Sequence, residues 1–260
     1  MILLHPNQTS ALRDWFIPET PGPLIGMHVI QTRNGACFAD RWPDPRAVLV
    51  DAAGNYSLSG DARALTPADL QPRIHGFVET SPEFLPLLKA AFPGLRVWNR
   101  LVLERQAVHA FTAPTSPQVG PGLQIRRLKP SDAYHLWGLS RESAWISKTW
   151  GGPRGLAASR CAWGAFLQGQ LVSVACTFFY GEKYEDIGVV TEPEFRGLGL
   201  STACAAGLCN DIQARGHRPS WTTSPDNKGS LRVAEKLGFF VQRDDRLYVV
   251  GASIPEPARE

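Results

Sequence analysis

Two stretches in the second half of the chain have the residue types and spacing to do chemistry. In the first, Val189-Val-Thr-Glu-Pro-Glu-Phe-Arg-Gly-Leu-Gly-Leu-Ser201, a β-branched run enters Pro193, then the turn Arg196-Gly197-Leu198-Gly199, then a helix. Gly197 and Gly199 carry no side chain, so a ligand can approach the backbone closely. The helix behind them offers unpaired N–H groups and the positive end of its dipole, a combination that binds phosphate. Its first turn, Leu200, Ser201, Thr202 and Ala203, contains no Asp or Glu, so a pyrophosphate can stand where an acid would otherwise sit. A Walker loop needs Gly-Lys-Ser/Thr after its second glycine, and none is present. A dinucleotide fingerprint needs a third glycine where Thr202 stands. Nucleoside triphosphates and NAD are therefore disfavoured.

The second stretch, Ser220-Trp-Thr-Thr-Ser-Pro-Asp-Asn-Lys-Gly-Ser-Leu-Arg-Val-Ala-Glu-Lys-Leu-Gly-Phe239, follows the glycine turn by about thirty residues. Asp226 or Asn227 caps a helix, Leu231, Ala234 and Leu237 face the core, and Gly238 stops it.

Other elements must position these two. Patterning predicts a strand over Leu123–Leu128 and a helix over about Ala133–Leu139. A Trp-rich stretch with Trp145 and Trp150 follows, then a hairpin of Cys161–Leu167 and Val172–Phe179 and a strand over Glu185–Thr191. A helix over Arg196–Arg215 follows, with Leu200, Cys204, Leu208 and Ile212 on its buried stripe. Strand Ser220–Thr223, helix Asn227–Leu237 and strands Phe239–Val241 and Arg246–Val250 complete the half. The fold class expected is α/β, a mixed sheet with helices on its faces. The first half reads as strands Met27–Gln31, Ala47–Asp51, Arg73–Val78 and Arg96–Leu103 with a helix over Ser81–Phe92, and it contains no motif that carries chemistry. Thr112–Gly122, with three prolines and two glycines, reads as a linker between an N-terminal domain (1–111) and a C-terminal domain (123–260).

Together the two stretches resemble the GNAT superfamily of N-acetyltransferases. Arg196-Gly-Leu-Gly-Leu-Ser201 matches its pyrophosphate turn, and Asn227 with Glu235-Lys-Leu-Gly-Phe239 matches a later segment that contacts the pantetheine arm. Leu200–Ala206, Arg218–Trp221 and Ala234–Gly238 look closer still to the two-part subgroup that includes zwittermicin-resistance-type acetyltransferases. The resemblance covers about Leu123–Val250, and the first half is compatible with a degenerate copy of the same fold. It implies acetyl-CoA held by Val189, Val190, Thr191, Arg196, Gly197, Leu198, Gly199, Leu200, Ser201, Thr202, Asn227 and Ser230, with an oxyanion donor near Val190. It implies direct attack by a primary amine of a small molecule, which subgroup analogy extends to an amine-bearing antibiotic. Glu185 and Asp186 are the candidate bases. As strand neighbours they face opposite ways, and family register leans to Glu185. Ser230 and Tyr184 are candidate proton donors, because Ala234 stands where many relatives carry a tyrosine. Trp145, Trp150, Phe178 and Tyr180 are candidates for substrate contact. The alternatives are a non-catalytic coenzyme A-binding module and transfer to protein lysines or aminoacyl-tRNA.

Composition sets the bounds. A chain of 260 residues, 43% hydrophobic and 20% charged, can bury a large core. A net charge of +3 without any Lys/Arg run argues against nucleic acid. Five cysteines without CxxC or Cys/His spacing argue against metal and read as reduced, buried thiols. The N-terminal apolar run ends at Leu4, too short for a signal peptide, and no stretch reaches membrane-spanning length. The expectation is a soluble cytoplasmic protein, with a homodimer left open.

Overall fold

The computed structural model describes residues 1–105, 117 and 121–256, so the predicted linker lies outside the described residues except for Pro117, Pro121 and Gly122. The first half runs β1 (Ile2–Leu3), a 3-10 segment (Thr9–Phe16), α1 (Ile25–Thr32), β2 (Ala36–Ala39), β3 (Ala47–Ala52), β4 (Asn55–Gly60), α2 (Pro67–Leu70), β5 (Gly76–Thr80), α3 (Leu85–Ala91) and β6 (Arg96–Arg105). The second runs β7 (Leu123–Arg127), α4 (Ala133–Trp137), a 3-10 segment (Ala144–Trp150), α5 (Pro153–Ala158), β8 (Ala162–Leu167), β9 (Gln170–Tyr180), β10 (Tyr184–Thr191), α6 (Leu200–Ala214), β11 (Arg218–Thr223), α7 (Lys228–Lys236) and β12 (Phe239–Val250).

All of these strands join one mixed sheet, in the order β1-β2-β3-β4-β5-β12-β6-β11-β10-β9-β8-β7. The order reads the same from either end once β1–β6 are matched to β7–β12. The pairing senses match too: β4 and β5 are parallel, as are β10 and β11, and the hairpins on either side are antiparallel. The first half thus repeats the topology of the second. The halves also exchange their last strands. β6 lies between β11 and β12, and β12 lies between β5 and β6. Further ties cross the seam. The Glu19 carboxylate accepts the N–H groups of Glu182, Lys183 and Tyr184 at 2.8, 2.9 and 2.6 Å. His28 Nε2 lies 2.9 Å from the Thr149 carbonyl, and Nδ1 accepts the Tyr180 N–H at 3.0 Å. Burial pushes that imidazole down to about 4, so it stays neutral in this role.

Several first-half expectations need correction. Met27–Gln31 is not a strand but part of α1. A short apolar run fits either state, and here Ile25 and Val29, four residues apart, bury one helical face in the core beside Leu12 and Leu24. β2 and β4 were not expected, because Ala36–Ala39 and Asn55–Gly60 are short and carry Gly, Ser and Ala instead of β-branched residues. The strand expected from Arg73 begins at Gly76, since Arg73 and Ile74 still donate to Leu70 in the turn after α2. In the second half, Phe239–Val250 is one strand with an irregular register between Val241 and Arg243, not two. Two cores lie on opposite faces of the second-half sheet: α6 covers Ala165, Val172, Ala175 and Ile187, while α4 and α5 cover Ala162, Val174, Cys176 and Val190.

Candidate functional site

The site is built where β10 and β11 part. They pair in parallel from Tyr184↔Arg218 to Ile187↔Trp221, after which β11 keeps only its pairing with β6 and β10 only its pairing with β9. A V-shaped opening follows. Glu192 N–H donates to Val172 on β9 at 2.9 Å. Because backbone direction alternates along an antiparallel pair, Val190 and Gly188 also turn their N–H groups to β9, and Val189 and Thr191 turn theirs into the V. The predicted pair Val189 and Thr191 therefore faces the opening, whereas the Val190 N–H belongs to the ladder and its side chain to the core.

Beyond Thr191 the chain reaches the glycine turn, where Gly197 has φ +79° and Gly199 φ +80°. A Cβ placed on Gly197 meets no atom within 4 Å, and one on Gly199 meets only Pro117 Cα at 3.9 Å. Among the described residues nothing crowds the turn, and what requires glycine is the left-handed backbone. Gly199 caps α6 without a side-chain bond, and the first helical turn contains no acid. The first helical bond runs from Ala203 N–H to Gly199 C=O, 3.1 Å, and the N–H groups of Leu200, Ser201 and Thr202 have no acceptor among the described residues. The Leu198 and Leu200 side chains pack into the core beneath, so these two residues offer only backbone to a ligand. Arg196 Nε donates to the Thr191 carbonyl at 3.4 Å, and its guanidinium also pairs with Glu142. On the other arm, Asn227 Oδ1 caps α7 by accepting Ser230 N–H at 3.1 Å. Ser230 Oγ accepts Trp221 Nε1–H at 2.9 Å, which leaves its own proton free to donate, while Ala234 is fully buried.

The two carboxylates separate as strand alternation requires, and their environments differ sharply. Glu185 is fully buried on the α6 face. Arg215 Nε and Nη2 donate to it at 2.9 and 2.7 Å, His217 Nδ1 sits 2.9 Å away, and the Thr177 hydroxyl donates as well. Burial opposes its charge, but these donors outweigh it and hold the carboxyl below its ordinary value. Asp186 is buried on the opposite face, where Ser220 Oγ and Thr222 Oγ1 donate at 3.1 and 2.9 Å. Burial dominates there and raises the carboxyl to about 7, against the pull of those hydroxyls and Arg100.

The aromatic residues also divide. Trp145 and Phe178 meet edge to face at 5.2 Å, and both border Gly188 at the mouth of the V, on the Asp186 side. Trp150 is 8% exposed and donates its indole N–H to Thr177 C=O at 2.6 Å, which makes it a core residue. Tyr180 leans on His217 at 5.4 Å, away from the mouth. Tyr184 is buried in the first-half core, and its hydroxyl accepts from Arg218 at 3.1 Å. The contribution of Ser220 and Thr222 was not read from the sequence; they follow Asp186 by 34 and 36 residues, and only the parallel register brings them together.

Comparison with known proteins agrees with this geometry. The GNAT acetyltransferase family matches residues 23–248, spanning both halves. A Streptomyces virginiae protein described as an uncharacterized N-acetyltransferase in the mutA 5′ region is 44% identical over 220 residues, covering 84% of this chain and 90% of its own. A GCN5-related N-acetyltransferase-like protein from Streptococcus suis shares the fold with a TM-score of 0.67 at 17% identity, covering 94% of this chain and 99% of its own. A tandem GNAT protein from the clavulanic acid biosynthesis pathway, solved without AcCoA, superposes with a TM-score of 0.58 at 13% identity over 98% of this chain and 99% of its own. The open glycine turn, the V beside it and the repeated topology therefore belong to one enzyme: this chain is a two-part N-acetyltransferase of the GNAT family.

Proposed function

We propose that the chain transfers an acetyl group from acetyl-CoA to a primary amine of a small molecule, at the V between β10 and β11. The observation that carries this reading is Asp186, a buried carboxyl raised to about 7 on the same strand face as Gly188, Trp145 and Phe178. Asp186 and Gly188 are one pleat repeat apart, about 6.8 Å. An amine seated against Trp145 and Phe178 lies within reach of that carboxyl, directly or through one water.

The residues fit acetyl-CoA. Among the described residues the turn Gly197–Thr202 is uncrowded, has a left-handed backbone and presents N–H groups without an acceptor, which suits a pyrophosphate. Val189 and Thr191 offer backbone partners to the pantetheine amides, and the Asn227 amide and Ser230 line the opposite arm. When bound, acetyl-CoA supplies an activated acyl carbon and a thiolate leaving group. Asp186 takes the first proton of the attacking ammonium, the Val189 N–H donates a hydrogen bond to the acyl oxygen as negative charge develops there, and the Ser230 hydroxyl relays to the thiolate the second proton that the nitrogen sheds. Glu185 takes no part in this scheme, because Arg215 and His217 occupy its oxygens.

The test has two stages. Acetyl-CoA at about 100 times its dissociation constant should stabilise the protein by about 2.7 kcal/mol in a thermal melt. Turnover against an amine panel is then followed by release of free thiol, and because all five cysteines are buried the protein itself should add little background. A folded sample that shows neither the shift nor turnover would overturn the reading.

Two substitutions check the arms separately. Ser201→Glu places a carboxylate in the empty first turn of α6. It should weaken acetyl-CoA binding at least about tenfold while leaving the melting temperature of the free protein unchanged or slightly higher, since an acid favours a helix N-terminus. Trp145→Ala removes part of the mouth wall. It should raise the acceptor KM about tenfold and leave the acetyl-CoA KM unaltered, which steady-state kinetics with each substrate varied in turn will read.

A further inference from the structure

The first half has a V of its own, with chemistry distinct from the second-half site. β4 and β5 pair in parallel from Asn55↔Phe77 to Leu58↔Thr80. Counting back one pair from the point of parting, Ser57 faces Glu79 here, just as Asp186 faces Ser220 between β10 and β11. The carboxyl and the hydroxyl have exchanged strands, but the pair is kept. The arginines of the exchanged strands are related in the same way: Arg100 on β6 pairs across to Asp245, and Arg243 on β12 pairs across to Val102.

What has been lost is the phosphate turn. After β4 the chain places Asp61 and the Thr66–Asp69 capping box, and α2 is a single turn of four residues. The Asp69 carboxylate already takes the N-terminal ammonium at 2.9 Å. Carboxylates thus stand where a pyrophosphate would need bare N–H groups, so this V is not built for a second coenzyme A.

It is not filled either. A cavity of about 450 Å³ opens there, lined by Trp15 and Phe16 on one side and Ser57, Ser59, Glu79 and Asp245 on the other. That is the volume of a small-molecule site. Its two carboxylates are not equivalent. Asp245 is bound by Arg100 at 2.5 and 3.1 Å and approached by Arg243 at 3.5 Å. Glu79 has no hydrogen-bond partner among the described residues. Burial first, then the carboxylates of Asp245 and Asp186, push it up to about 8 against the pull of Arg100 and Arg243, which hold Asp245 instead. Arg246, at the rim, is exposed.

We propose that this cavity is a second ligand site, specific for a small organic cation whose ammonium group binds the Glu79 carboxyl and the Ser57 and Ser59 hydroxyls while its apolar body lies on Trp15 and Phe16. The site does not depend on acetyl transfer at the other V, and it fills without coenzyme A.

The test is ligand-observed NMR on the full chain without acetyl-CoA, using 2-phenylethylamine as probe and 2-phenylethanol and 3-phenylpropionate as neutral and anionic counterparts. The amine should bind saturably, and at least about tenfold more tightly than either counterpart, as a charge-assisted hydrogen bond requires. Glu79→Gln, an isosteric change checked for folding by its melt, should remove that preference, while Asp186→Asn should keep it. No saturable binding of the amine to the wild-type protein overturns the proposal, as does equal binding of amine and alcohol or an unchanged preference in Glu79→Gln. Loss of binding in Asp186→Asn, or displacement by acetyl-CoA, would place the amine at the second-half V and overturn it too.

Discussion

Replacing Asp186 by asparagine is expected to lower kcat by about 100- to 10,000-fold, the range for removing a general base, with acetyl-CoA binding unchanged. The pH profile carries the sharper expectation. Asp186 is raised to about 7, and only its ionised form can take a proton. The wild-type rate should therefore climb with pH through about 7 and level off above it, and in Asp186→Asn that limb should vanish. Ser220 and Thr222 donate to this carboxylate at 3.1 and 2.9 Å, so removing the Thr222 hydroxyl should move the limb to higher pH without abolishing activity. A wild-type limb that persists unchanged in Asp186→Asn would assign the base elsewhere.

The second large effect concerns Glu185 and is structural. Glu185→Ala leaves Arg215 and His217 facing a buried gap, and breaking a buried ion pair from one side costs about 3–5 kcal/mol. Arg215 and His217 stay partly wet, at 27% and 17% side-chain exposure, which places the loss toward the lower end. A fall of about 10 °C in melting temperature is expected, with residual activity in the fraction that stays folded. The same group sets an acid limit. Its folded value lies below the ordinary 4.5, so its contribution is complete above about pH 4.5 and is lost as pH falls through the folded value. Melts between pH 3 and 6 should show the wild type losing more stability on acidification than Glu185→Gln. Equal acid slopes would remove Glu185 from the account.

The contrast between these neighbours shows what a sequence can and cannot say about a site. Adjacent positions on a strand face opposite ways, so it was legible that Glu185 and Asp186 could not both face the same site. The lean to Glu185 came from family register. Its partners, Arg215 and His217, lie 30 and 32 residues further on, at the far end of α6, and only packing brings them to its oxygens. For the same reason four candidate aromatics became two at the mouth, Trp145 and Phe178, and two elsewhere.

The glycine turn was legible because its cause is local. Gly197 and Gly199 supply the left-handed backbone, the first turn of α6 contains no acid, and Asn227 caps α7, all within a few residues of one another. The hairpin and third strand of the second half were legible as apolar runs bounded by turn residues, the form taken by strands buried on both faces. In the first half β2 and β4 are short and lack β-branched residues and were missed, and the short apolar run of α1 was misread as a strand. Strand order is a different kind of fact. Nothing in Arg96–Arg105 or Phe239–Val250 announces that each pairs into the opposite half, because ladder hydrogen bonds are nearly indifferent to side-chain identity and the choice of partner is made by faces that meet only in the folded chain. The sequence alone thus determined the glycine turn, the helices beside it and the family they indicate. The tertiary structure decided that Glu185 is held by Arg215 and His217 while Asp186 faces the other side among hydroxyls, that the first half carries a V of its own, and that neither half completes its sheet without a strand from the other.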